Sequence, residues 1–154
     1  MFRTQKPVIL LVEDNEDDVV MIRHSLKKAN ITLPLHVVRD GREALAYLNG
    51  EGKYGGPNFP IPALVLLDLS LPRMDGFEVL RCARERPYLD SVPIVVLTGS
   101  VDPRDPEAAY ALGANSFLSK PADFRDAVRL MLLVVAQWLP AGLHRRHPEL
   151  ADAA

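Results

Sequence analysis

Three carboxylates, a hydroxyl and an ammonium stand at the ends of short apolar runs in this chain. Residues 8–12 (VILLV) end in Glu13-Asp14, residues 63–67 (ALVLL) end in Asp68, residues 94–97 (IVVL) end in Thr98, and residues 116–118 (SFL) lead into Ser119-Lys120-Pro121. An apolar run this short and without alternation suits a strand buried on both faces. In a parallel sheet all strand ends of one kind share an edge, so residues distant in sequence converge there. Three carboxylates packed together repel, and two would be driven toward their protonated forms. A hard divalent cation resolves this, because Mg2+ takes oxygen ligands, keeps several waters and prefers one or two carboxylates plus a phosphate. A hydroxyl from Thr98 and an ammonium from Lys120 would bind the remaining phosphoryl oxygens. The set therefore suits Asp68 as a nucleophile that accepts a phosphoryl group beside Mg2+, a transfer that depends on positioning and charge neutralisation. Taken singly, each residue has an ordinary meaning: helix N-terminal charge for Glu13-Asp14, a turn hydroxyl for Thr98, solvated charge for Lys120, a loop cap for Asp68. Their occurrence together at four strand ends points to one site.

The intervening segments must return the chain to the same edge each time. Val19, Ile22, Leu26 and Ala29 recur at helical spacing, with Lys27 and Lys28 near the end where cations are favoured. Residues 35–39 are β-prone, and Asp40 with Glu43 reads as the start of a short helix carrying Ala44, Leu45 and Leu48. Asp75 with Glu78 repeats that pattern before Phe77, Leu80 and Ala83, and Pro87 ends this helix. Asp102-Pro103 or Asp105-Pro106 opens another helix, which Gly113 closes, and Asp123 caps a last one from Phe124 to about Leu139. Five strands alternating with five helices predict a doubly wound α/β fold with a five-stranded parallel sheet, flavodoxin-like. Residues 49–62 (NGEGKYGGPNFPIP) form a long loop, either partner-facing or a tolerated surface insertion.

Composition narrows the function classes. A chain of 154 residues is most simply one domain, and a net charge of −2 offers no basic field for nucleic acid. Cys82 is the single cysteine, so no intrachain disulfide forms, which fits a reducing compartment. The apolar run near the N-terminus is too short for a secretion signal, and residues 130–135 are too few to span a membrane. The expectation is a soluble, cytoplasmic protein. No G-x-G-x-x-G follows the first strand, which excludes a dinucleotide-binding oxidoreductase. His144 and His147 bracket a basic tail without enough ligands for a metal, and Cys82, His24 and His36 lie apart from the strand ends.

VEDN (residues 12–15), VRDGREAL (38–45), LLDLSLPRMDG (66–76), LTGS (97–100) and SFLSKP (116–121) resemble the receiver domain of bacterial two-component response regulators over about residues 7–139. The resemblance implies a receiver domain over residues 1–140, a short tail over 141–154 and no output domain. It implies that Asp68 takes a phosphoryl group from a phosphohistidine of a sensor histidine kinase. Asp14 and Asp68 would ligate Mg2+ directly, Glu13 largely through water, and Ser70 by its backbone carbonyl. Thr98 and Lys120 would bind phosphoryl oxygens, Phe117 would be the switch aromatic that follows Thr98, and a cis bond would precede Pro121. Ser70 and Ser100 occupy positions that tune phosphoryl lifetime.

Some positions depart from the commonest family form. Glu13 stands where many members have Asp, Gly99 follows Thr98 and leaves Phe117 more room, and Phe117 lacks a tyrosine hydroxyl. Phosphatase-type enzymes that use an aspartyl-phosphate place a second Asp two residues after the nucleophile, and Ser70 stands there, so a signalling protein rather than an enzyme is expected. A pseudo-receiver that binds partners without phosphorylation is the alternative. With few residues after Trp138, the signal would leave through the receiver's own surface. Phe124, Val128, Met131, Val135 and Trp138 form one apolar stripe on the last helix, which Leu130, Leu133 and Val134 widen, predicting a homodimer through that helix. The 49–62 loop and the Trp138-Leu139-Pro140 ending look similar to small stand-alone regulators of phytochrome-type histidine kinases.

Overall fold

The structure, a computed structural model, describes residues 7–140. Its elements run β1 (Ile9–Val12), α1 (Glu16–Lys28), β2 (Leu35–Val38), α2 (Gly41–Asn49), β3 (Leu64–Leu67), α3 (Gly76–Arg84), β4 (Ile94–Thr98), α4 (Asp105–Ala111), β5 (Ser116–Ser119) and α5 (Phe124–Trp138). The sheet order is β2-β1-β3-β4-β5 with every pair parallel, so the winding reverses between β1 and β3 as expected for the doubly wound class.

Alternate residues of the buried strands feed two apolar layers. Leu10, Val12, Val65, Leu67, Ile94 and Val96 meet α2, α3 and Ala109 of α4, while Ile9, Leu11, Leu64, Leu66, Val95 and Leu97 meet α1 and α5. This period of two, with apolar residues at both parities, explains why the strands read as unbroken apolar runs.

Helix starts follow the sequence where an acidic or amide cap is present. The side chains of Asn15, Asp40, Asp75 and Asp123 accept from the backbone N–H three residues on, at 3.1, 2.8, 3.0 and 2.9 Å. The reciprocal bonds are less regular. Glu43 accepts from Arg39 N at 3.2 Å, and Glu78 pairs with Arg81. Helix α4 has no side-chain cap: Asp105 is its first residue, and Asp102 accepts from Arg104 N at 2.9 Å in the turn before it.

Residues 49–62 are packed down rather than a bare surface insertion. A 3-10 turn at Gly52–Gly55 buries Tyr54, whose ring lies 5.0 Å from Phe59 and 5.2 Å from Tyr47. Its hydroxyl donates to Glu43 at 2.6 Å, and Phe59 lies 5.8 Å from the His36 ring, so aromatic contacts staple the segment to α2 and β2.

Helix α5 buries Ala127, Met131, Val134 and Val135. Val134 therefore belongs to the core, three residues from Met131 on the same face, and not to the widened apolar surface predicted for it. The exposed large apolar residues of α5 are Phe124, Leu132 and Leu133, the last at 68%. Among the described residues, no helix is long and apolar enough to cross a membrane. The tail over 141–154, with His144 and His147, lies outside the described residues.

Two glycines set how closely α2 and α3 approach the loop after β3. A Cβ at Gly41 would stand 2.1 Å from the Met74 carbonyl oxygen, and one at Gly76 would stand 2.4 Å from that of Asp68. Backbone on both sides leaves little to yield. Gly76→Ala is expected to destabilise the fold by about 1–3 kcal/mol in urea unfolding. Gly56→Ala, with nothing within 4 Å of its added Cβ, is the matched control. Equal midpoints for the two variants would contradict this packing.

Candidate functional site

Strand register brings the carboxylates together. Val12 pairs with Leu67, so the next residues, Glu13 and Asp68, leave adjacent strands side by side, and Asp68 N donates to Val12 O at 3.1 Å. Both are buried, at 3% and 4% exposure, while Asp14 is exposed. Oxygen atoms of Glu13, Asp14 and Asp68 lie within 4.8 Å of one another. An all-carboxylate set of that spacing suits a hard divalent cation.

Lys120 enters from the far side. Thr98 pairs with Ser119, and Lys120 N donates to Thr98 O at 2.9 Å, which fixes the lysine at the end of β5. Its ammonium donates to Glu13 Oε1 at 2.8 Å, Asp18 Oδ2 at 2.8 Å and Asp68 Oδ2 at 3.1 Å. Three N–H donors thus meet three carboxylates. Burial opposes the ammonium, but bonds to Asp18, Glu13 and Asp68 outweigh it and hold the Lys120 pKa above the ordinary lysine value. Burial raises the Glu13 carboxyl to about 7 against the pull of Lys120, with the Asp68 charge adding to the rise.

Other predicted residues stand close by with different partners. Asp68 Oδ1 accepts from Ser70 N at 3.3 Å. Thr98 is fully buried, and its hydroxyl oxygen accepts from Ser100 N at 3.2 Å, closing a turn. Ser100 Oγ donates to Asp105 at the start of α4 and accepts from Asp102 N at 3.3 Å, so it faces α4. Phe117 packs, partly exposed, on the layer that contains α2 and α3, and its N–H donates to the Tyr110 hydroxyl at 3.0 Å. A Cβ added at Gly99 meets nothing within 4 Å, so that position borders open space. The peptide bond before Pro121 is trans, against the expectation of cis. Trans is the ordinary state of such bonds, and the Lys120–Thr98 backbone bond already anchors the loop.

Asp18 was not singled out from the sequence. Within EDNEDD every acid is explained by helix N-terminal charge, which masks the one that turns inward. The available signal was position: Asp18 lies in the first turn of α1, the end that starts beside Glu13 and Asp14. Cys82 lies on α3 beside Arg81 and Glu78, and His36 sits in the aromatic cluster, 2.7 Å from the Tyr47 hydroxyl, so neither belongs to the site.

The profile of the response regulator receiver domain matches residues 9–131. Response regulator Rcp1 of Synechocystis sp. is 40% identical over 132 residues, which cover 86% of this chain and 88% of Rcp1. The crystal structure of the Mn2+-bound form of Rcp1 aligns with a TM-score of 0.78 at 39% identity, covering 88% of this chain and 96% of that one. The phosphorylated cyanobacterial phytochrome response regulator RcpA aligns with a TM-score of 0.79 at 36% identity, covering 92% of this chain and all of that one, 100%.

A Glu13 carboxyl held near pH 7 gives the fold a defined pH dependence. Between the unfolded value of 4.5 and about 7 the native state binds the extra proton, so stability falls as pH rises through that window. Glu13→Gln mimics the protonated form. In chelator it is expected to exceed wild-type stability by about 1–3 kcal/mol at pH 8 and to match it below about pH 4.5, read by urea unfolding at both pH values. A difference independent of pH would contradict the assignment.

Proposed function

This chain belongs to the response regulator receiver domain family, and on that premise we propose that Asp68 accepts a phosphoryl group from a phosphohistidine of a sensor histidine kinase. The observation that carries the reading is the buried Asp68 carboxylate, 3.1 Å from the Lys120 ammonium, at the edge of a three-carboxylate set. In the transfer a carboxylate oxygen of Asp68 forms the new O–P bond. The P–N bond breaks, and its electron pair leaves with the imidazole, which takes up a proton. Glu13, Asp14, Asp68 and the Ser70 carbonyl would hold Mg2+, whose charge offsets that of the carboxylates and of the incoming phosphoryl oxygens. The carboxylate donor set fits that ion, and the Mn2+-bound form of Rcp1 supports a divalent metal.

Lys120 then turns an N–H from Asp68 to a phosphoryl oxygen. The Thr98 hydroxyl accepts from Ser100 N and still has its own O–H to give, and turning that O–H to a phosphoryl oxygen is the start of the switch that includes Phe117. Ser70 borders the acceptor directly, whereas Ser100 would tune phosphoryl lifetime only after leaving Asp105. The protein signals by changing the surface around β4, α4 and β5, with no external substrate. Likeness to Rcp1, and to RcpA as a phytochrome response regulator, supports a phytochrome-type kinase as donor, and this reading assigns the protein to the cytoplasm. Self-association through the exposed apolar side of α5, centred on Leu133, completes the reading.

Incubation with acetyl phosphate and Mg2+ is expected to add one phosphoryl mass to the wild type and none to Asp68→Ala. Equal labelling of both would remove Asp68 as the acceptor, and no labelling of either would favour the phosphorylation-independent pseudo-receiver. For association, Leu133→Glu is expected to lower the mass seen by light scattering to that of one chain. Substitution at Met131 or Val135 would injure the core instead, since both are buried. A wild type that is already monomeric with and without phosphoryl donor would remove the dimer.

A further inference from the structure

We propose that Asp18 is a positioning residue for Lys120, keeping the ammonium partnered when a divalent cation takes Glu13 and Asp68 away from it. The inference rests on the reading of Glu13, Asp14 and Asp68 as the metal ligands. Lys120 uses its three N–H donors on three carboxylates, at 2.8, 2.8 and 3.1 Å. Two of those acceptors, Glu13 and Asp68, belong to the oxygen cluster suited to a cation, and Asp18 does not. The other oxygen of Glu13 and of Asp68 already accepts a backbone N–H, from Asn15 and Ser70, at 3.2 and 3.3 Å, so a cation entering the cluster competes with the ammonium and favours its displacement. An ammonium left without partners in a largely buried position opposes that displacement.

Asp18 removes this opposition. Its place is set independently of the ion pair, because its backbone N–H is held by the Asn15 cap at 3.1 Å in the first turn of α1. Glu13, Asp18, Lys120 and Pro121 line one cleft with Met21, Ile22 and Leu97, so the lysine stem runs over apolar side chains while its head reaches Asp18. The negative charge also favours a cation nearby. Both effects have the same sign: removing Asp18 leaves Lys120 bound more exclusively to the metal ligands and weakens the metal. The prediction does not depend on whether a phosphoryl group is ever transferred.

The test is calorimetric titration with Mg2+ on the full chain: wild type, Asp18→Ala, Asp18→Asn, Lys120→Met and the Asp18→Ala/Lys120→Met double variant. Thermal unfolding of each establishes that it is folded. Asp18→Ala is expected to weaken Mg2+ binding about five- to tenfold, and less than about twofold when Lys120 is already Met. Asp18→Asn keeps an acceptor oxygen and loses the charge, so it is expected to fall between wild type and Asp18→Ala, and it carries the test if Asp18→Ala does not fold. Wild-type affinity in the folded Asp18 variants would overturn the proposal. An equal loss with and without Lys120 would also overturn it, since it would reduce Asp18 to a distant charge, and so would a wild type that binds no Mg2+. Phosphoryl labelling of the same samples separates the two readings: coupled metal binding without a label on Asp68 would remove the phosphoacceptor function and leave the role of Asp18 standing.

Discussion

One ammonium among three carboxylates is the interaction on which this molecule's arrangement depends. Glu13 and Asp68 are buried at the ends of adjacent strands, where two negative charges would destabilise the fold if left without a counter-charge. The sheet order places β5 beyond β4, so Lys120 must cross the end of β4 to reach them, and its backbone bond to Thr98 O fixes where that crossing starts. Helix α1 begins at the same edge and adds Asp18. The glycines at 41 and 76 let α2 and α3 close on the loop that follows Asp68, so backbone packs closely beside that residue. A closed ion cluster with a carboxylate surplus holds the site shut with its own lysine and leaves it receptive to a cation.

The same arrangement ties the site to α4. Thr98 reaches α4 through Ser100, which it binds at the backbone and which donates to Asp105, the first residue of that helix. The backbone N–H of Phe117 donates to the hydroxyl of Tyr110, near the other end of α4. If the Thr98 hydroxyl moves away, Ser100 N loses its acceptor and needs another partner, since a polar group left unpaired away from water destabilises its state. The strand ends are thereby linked to α4 by hydrogen bonds between named atoms.

The strand ends were legible in the sequence because short apolar runs, each finished by one polar residue, leave few ways to build a parallel sheet. Register then made Glu13 and Asp68 neighbours without further information. The caps at Asp40, Asp75 and Asp123 were legible for the same local reason. What the sequence hid is decided by tertiary packing. Asp18 looked like its acidic neighbours until the lysine reached it. Residues 49–62 read as loop by their glycines and prolines, but Tyr54 and Phe59 turn inward onto Tyr47 and His36. Val134 looked surplus on α5 because helical spacing alone does not say how wide a face the partner helix covers. Helix α4 starts at Asp105 rather than after it: Arg104 holds the N-cap position without a capping bond from its side chain, and Asp102 accepts from Arg104 N in the turn before.

A crystal structure with Mg2+ and beryllofluoride, a stable mimic of a phosphoryl group on a carboxylate, tests the account most directly. The expected result is beryllofluoride on Asp68, with the cation among Glu13, Asp14 and Asp68. Lys120 should have left Asp68 for a fluoride while still bonded to Asp18, and the Thr98 O–H should donate to the ligand. Beryllofluoride elsewhere, or Lys120 still bridging Glu13, Asp18 and Asp68 with the cation bound at another place, would contradict it.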